Sequence, residues 1–179
     1  MKSAHGIVCQ TSKRDKNMKP PMALPWQNMD LVPVSSYGRG FWTPACEFVP
    51  GARLLRLRTV NENRDGQPVP TLWSPAGDNP CGPDGDPTAP ARTGMLCSSA
   101  AYGALIGKIG GSTADIPDTT AGSSGPYPGK KVFSVGAECI LSLPAAADGG
   151  PLFLTMNDKP ECFPCHVGDL HVLIQYYPL

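Results

Sequence analysis

The chain lacks an excess of either charge: Lys and Arg number 15, and so do Asp and Glu. Without a field of one sign it has no electrostatic footprint for a polyanion, so neither nucleic acid nor an anionic membrane surface is an expected partner. It also lacks any apolar run near the roughly 20 residues needed to span a bilayer, and no transmembrane segment is expected. The opening MKSAHGIVCQTSKRDKNMK has no apolar h-region of a signal peptide. No period of 20 to 50 residues repeats, which excludes solenoids and propellers. No Ser/His/Asp constellation, phosphate loop or paired acid and base carboxylates can be assembled, so the expectation is a protein that is not an enzyme.

What is abundant is Gly, at 20, and Pro, at 21, in a chain of 179 residues that is 41% hydrophobic. That combination describes many short strands joined by turns around one core, an all-β class. Seven cysteines are many for this length; they favour an oxidising compartment, extracellular or periplasmic, against the missing leader. Their odd number leaves at least one thiol unpaired or ligating.

Two regions follow. Residues 1–40 show no period, and Pro20, Pro21, Pro25 and Pro33 forbid a helix and interrupt any central strand. This stretch reads as an extended arm that joins a homo-oligomer or larger assembly through Met18, Met22, Trp26, Met29 and Leu31, because ordered apolar side chains need a surface to bury against. Residues 41–179 read as the domain. Its RLLRLRTV at 53–60 approaches the alternation of a half-buried strand, and Asp65-Gly66 is a tight-turn signal. Short strands are expected at 71–73, 94–97, 101–109, 131–135 and 138–143. The intervening SPAGDNPCGPDGDPTAPART, at 74–93, presents carboxylates and carbonyls in fixed turns, which suits cation or sugar contacts. Trp73 and Tyr102 read as core, His171 as outward-facing, and Cys46, Cys81, Cys97 and Cys139 as small apolar residues or disulfide halves.

The last stretch, PLFLTMNDKPECFPCHVGDLHVLIQY, organises the rest. Two apolar runs, 151–156 and 170–176, read as core strands separated by a polar loop of about thirteen residues. Loops of that length in compact domains tend to be functional. This one holds Asn157, Asp158, Glu161, Asp169, two cysteines and a histidine. Cys162-Phe163-Pro164-Cys165-His166 is CxxCH, the pattern that attaches haem c through two thioethers with the histidine as axial ligand. A small disulfide or free thiols at Cys162 and Cys165, a zinc site with His166 and Asp158, and residual calcium are the other readings of the same loop.

VPGARLLRL, CGPDGD, GMLCSSAAYGALIGKIG, PLFLTMND and GDLHVLI, in that order, resemble the PA-IL (LecA) galactophilic lectins over residues about 41–176. The resemblance implies a two-sheet antiparallel β-sandwich of jelly-roll type, galactose-binding-domain-like, with calcium held between two loops and a sugar completing its coordination. Carried over residue by residue, it places Asp158, the Trp73 carbonyl and the Cys162 carbonyl on calcium, and Asp84, Asp86 and Pro90 along the sugar loop. Cys165 and His166 stand where the family has oxygen ligands, and soft thiolate and imidazole suit calcium poorly. Ala89 and Arg92 stand near the family's sugar-reading His and Gln. The functional expectation is a carbohydrate-binding module, possible cation assistance included. The alternatives are a haem c electron-transfer or assembly subunit, and a structural subunit that has kept the sandwich without the site.

Overall fold

Two patterns of apolar residues build two kinds of strand. The computed structural model describes residues 26–36, 42–51, 53–75, 79–89, 93–112 and 132–178. Where apolar and charged residues alternate, as in β3 (Arg53–Val60), one face is buried and the other half-exposed: Leu55 and Leu57 are in the core while Arg56 and Arg58 face outward. Where apolar residues run on without a break, both faces are covered. In β7 (Leu105–Ile109) every residue is buried, and in β10 (Gly150–Met156) all but Pro151 are.

The strands form an all-β sandwich of two antiparallel sheets. The first has the order β1 (Gln27–Ser35), β11 (Val167–Pro178), β3, β9 (Glu138–Leu143), with the short β6 (Trp73–Ser74) pairing with the start of β11. The second has the order β2 (Thr43–Val49), β10, β7, β8 (Val132–Ser134). Leu55, Leu57, Val172 and Ile174 from the first sheet meet Leu105, Leu152, Leu154 and Met156 from the second. The second sheet's outer face is also covered. Trp42, Leu96, Cys97, Ala100 and Phe163 close over Ile106 and Phe153 in a separate apolar cluster. The buried Lys108 ammonium lies 4.7 Å from the Trp42 ring centroid and donates to the Ser112 carbonyl at 2.7 Å.

Several sequence expectations change here. The runs at 151–156 and 170–176 are indeed core strands, but they occupy central positions in different sheets, so the loop between them crosses the sandwich. The arm assigned to 1–40 contains β1, which pairs with β11 from Gln27↔Tyr176 to Ser35↔Asp169 and buries Val34 completely. Pro33 is accommodated because β1 is an edge strand, with no second neighbour to serve. Met18 and Met22 lie outside the described residues. The strand expected at 94–97 is a pair of turns, and 101–104 is loop preceding β7. Asp65-Gly66 does form a two-residue hairpin between β4 (Glu62–Arg64) and β5 (Gln67–Val69), with φ of 53° and 81° at the two turn residues.

Candidate functional site

The two long loops meet at one end of the sandwich, and Asn157 joins them. It follows β10 directly, and its side chain is completely buried. Its Oδ1 accepts from the Cys97 N–H at 2.9 Å, and its Nδ2 donates to the carbonyls of Cys97, Ala100 and Ala101 at 2.9 to 3.0 Å. Its backbone N–H donates to the Ala104 carbonyl, and its carbonyl accepts from Gly103. The turns at 94–104 therefore replace a strand because a side-chain amide, rather than a neighbouring strand, satisfies their backbone groups.

Asp158 and His166 come together across the loop. His166 Nε2 lies 3.0 Å from Asp158 Oδ2, with side-chain exposures of 0% and 3%. Nδ1 lies 3.1 Å from the carbonyl oxygen of Ser36 at the end of β1. A carbonyl only accepts, so Nδ1 carries a proton, and the Nε2–Oδ2 contact holds a second. The other carboxylate oxygen accepts from the Lys159 N–H at 2.7 Å. Ser36 also donates its N–H and its hydroxyl to the Gly168 carbonyl, at 3.0 and 2.7 Å. One buried pair thus fastens the loop to β1 and β11.

Between its two ends the loop makes a single 3₁₀ segment, η1, over Pro160–Cys165. Phe163 drops from it into the outer cluster and packs against the His166 ring, with centroids 4.6 Å apart. Cys165 is exposed and Cys162 half-buried. Burial pushes the Cys162 thiol up from its ordinary range, and the negative charges of Asp158 and Glu161 add to the shift. The described cysteines Cys46, Cys81, Cys97, Cys139, Cys162 and Cys165 are all free thiols.

The other loop is organised on Trp73, which is buried. Its indole N–H donates to the Gly103 carbonyl at 2.8 Å, and its own carbonyl accepts from the Cys81 N–H at 2.8 Å. Gly168, with φ of +90°, sits so close that a Cβ there would lie 2.6 Å from the Leu72 carbonyl oxygen. Asp84 is exposed, and its Oδ1 accepts from the Ala137 N–H at 2.8 Å. Asp86 Oδ1 accepts from the N–H and hydroxyl of Thr88, at 2.8 and 2.7 Å. Pro90 lies outside the described residues. Tyr102 is buried, as expected of core, and His171 faces outward, 3.8 Å from Glu62.

These partners bear on each group the sequence invoked. Asp158 and the Trp73 carbonyl, the calcium donors implied by resemblance, already hold protein hydrogen bonds, and no three His, Cys, Asp or Glu side chains converge on a metal-sized space among the described residues. The donor set as arranged does not fit calcium or zinc. The haem reading needs an imidazole nitrogen for iron, and both nitrogens of His166 face protein acceptors inside the fold. Asn157 and Ser36 are the organisers that sequence reasoning missed. Asn157 was visible only as one more polar residue, and Ser36 contributes a carbonyl, which no residue type reveals. Elsewhere, a groove of about 360 Å³ opens between β8 and β9. Ile109, Phe133, Leu141, Leu143 and Pro144 make it apolar, with Ser142 and Asp148 its polar members.

No protein-family model matches the chain, and no curated protein matches it. Among solved structures it is similar to one described as "EclA N-terminal domain; PllA-like lectin", with a TM-score of 0.51 and 14% identity. The alignment covers 84% of this chain and 98% of that one. At that identity the likeness is one of fold: the chain has a lectin-like β-sandwich.

Proposed function

We propose that the chain is a carbohydrate-binding module that reads its ligand at the loop end of the sandwich. The observation that carries this reading is that the 157–168 loop is joined to the 94–104 turns through Asn157, and those turns to the 79–89 loop through Asp86, Ala89 and Tyr102, in a sandwich that overlays nearly the whole of a lectin domain. Binding residues concentrate on loops that a rigid scaffold holds, and this pair is held by the buried Asn157 amide and the buried Asp158–His166 contact. Asp84 and Asp86 present carboxylates on the outer turn of that end, where sugar hydroxyls can donate to them. The reading invokes no cation, because Asp158 and the Trp73 carbonyl already accept protein hydrogen bonds.

The test is retention on immobilised neutral sugars and a glycan array, each with and without chelator. Retention that survives chelator and falls at least tenfold in Asp84→Ala plus Asp86→Ala is the expected result. Absence of binding to any glycan would overturn the reading and leave a structural subunit on a lectin-like scaffold.

A further inference from the structure

The geometry points to Cys162 and Cys165 as a redox-active dithiol, a modification site that closes reversibly to an intramolecular disulfide by exchange with a low-molecular-weight disulfide. The two lie three residues apart on η1, and side chains at that separation eclipse on a 3₁₀ helix, so both thiols leave the same side of the turn. With a rise of about 2.0 Å per residue, their Cα atoms are separated by about 6 Å, inside the roughly 4.4–6.8 Å that a disulfide spans. The turn is fixed in that shape. Pro160 begins it, Pro164 sits between the cysteines, Phe163 is anchored in the outer cluster, and His166 is bonded on both ring nitrogens immediately after it. The backbone of the turn thus already holds the two Cα atoms within disulfide reach.

The two thiols differ in a way that assigns their roles. Cys165 is exposed and meets the incoming disulfide first; Cys162 is half-buried, and its burial, with the charges of Asp158 and Glu161 adding to it, favours the protonated thiol. The Cys165 thiolate attacks one sulfur of the small disulfide, forming a mixed disulfide and releasing one small thiolate. Cys162 then gives its proton to solvent and attacks the Cys165 sulfur. The protein disulfide forms, the mixed disulfide breaks, and the second small thiolate leaves. Two protein thiols are oxidised and one small disulfide is reduced to two thiols. Cys46 and Cys139 lie on β2 and β9, Cys81 Sγ lies 3.7 Å from the Gly103 carbonyl, and Cys97 is buried with its Sγ 3.2 Å from the Ser99 hydroxyl, so none of the four presents an exposed thiol as Cys165 does.

The experiment incubates the folded full chain with oxidised glutathione, quenches with an alkylating reagent, and maps the products by intact mass and peptide mass spectrometry. The expected product is the loss of two hydrogens confined to the peptide holding Cys162 and Cys165, reversed by dithiothreitol. Before oxidation, Cys165 should alkylate about tenfold faster than Cys162. In Cys162→Ser a glutathione adduct should persist on Cys165, and in Cys165→Ser oxidation of the turn should be lost. The wild-type map needs no variant to fold. Stable glutathione adducts on wild-type Cys165 without internal closure, or disulfides linking other cysteines in the folded chain, would overturn the inference.

Discussion

Removing the His166 imidazole strands a buried carboxylate. In His166→Ala, Asp158 keeps only the Lys159 N–H, and the Ser36 carbonyl loses its donor. Breaking a buried pair from one side costs about 3–5 kcal/mol, which urea denaturation would register as a lower midpoint at unchanged slope. Adding Asp158→Asn to His166→Ala should recover part of that loss, because no uncompensated charge then remains; a double mutant no better than the single would remove the ion pair from the account. Cys139 gives a second residue-level test. Burial pushes its thiol from the ordinary 9.0 up to about 11, with the Leu57 backbone bond opposing and the Glu138 charge assisting. The folded chain therefore keeps this proton where the unfolded chain has begun to lose it. Its contribution is complete below about pH 9 and is lost as pH rises toward about 11. Denaturant midpoints measured from pH 8 upward should fall less steeply in Cys139→Ala than in the wild type. The same residues show what single-residue reading yields: CxxCH draws attention to His166 but says nothing about which acceptors surround the ring.

At the scale of elements, β1 is where composition misleads most. Its proline, the three prolines before it and the lack of period read as an arm, yet Val34 is fully buried, and Met29 and Val32 pack on the core. An edge strand needs hydrogen bonds on one side only, so neither proline nor a bulge at Asn28/Asp30 disqualifies it. Truncation locates the difference. A chain beginning at residue 26 should melt cooperatively, whereas one beginning at residue 37 loses β1, the eight register pairs with β11 and the carbonyl that holds His166. The second truncation should melt about 10 °C lower by circular dichroism, a loss of a few kcal/mol at the roughly 2–4 °C per kcal/mol of a chain this size; equal melting temperatures would return β1 to the status of an arm. Elements whose own pattern decides them were legible: the alternation in β3, the unbroken apolar run of β10, the Asp-Gly hairpin. Those decided by a distant side chain were not. The 94–104 stretch carries strand-like residues, and the amide of Asn157, some sixty positions away, together with backbone bonds to Ala89 and Asp158, makes it a set of turns.

For the whole molecule, the sequence made the layered class readable because glycine, proline and short apolar runs leave few other architectures. The site was readable only as a place. A loop too long for a hairpin is long because it crosses between sheets, and its polar residues turn out to hold the crossing together. What remains available to a ligand is set by global electrostatics as much as by any one residue. With 15 basic and 15 acidic side chains the chain presents no net field, and at the loop end the exposed Asp84 and the half-buried Asp86 are negative. Sulfated or otherwise anionic glycans gain nothing from steering and meet repulsion at those carboxylates, whereas a neutral sugar donates hydroxyl protons to them without a desolvated charge of its own. Neutral glycans should therefore dominate an array at every ionic strength, with affinities that change less than about twofold between low and physiological salt, because no counterions are released on binding. Retention on a heparin-type resin that weakens steeply with salt would show that a local basic surface, not the acidic loop end, receives the ligand.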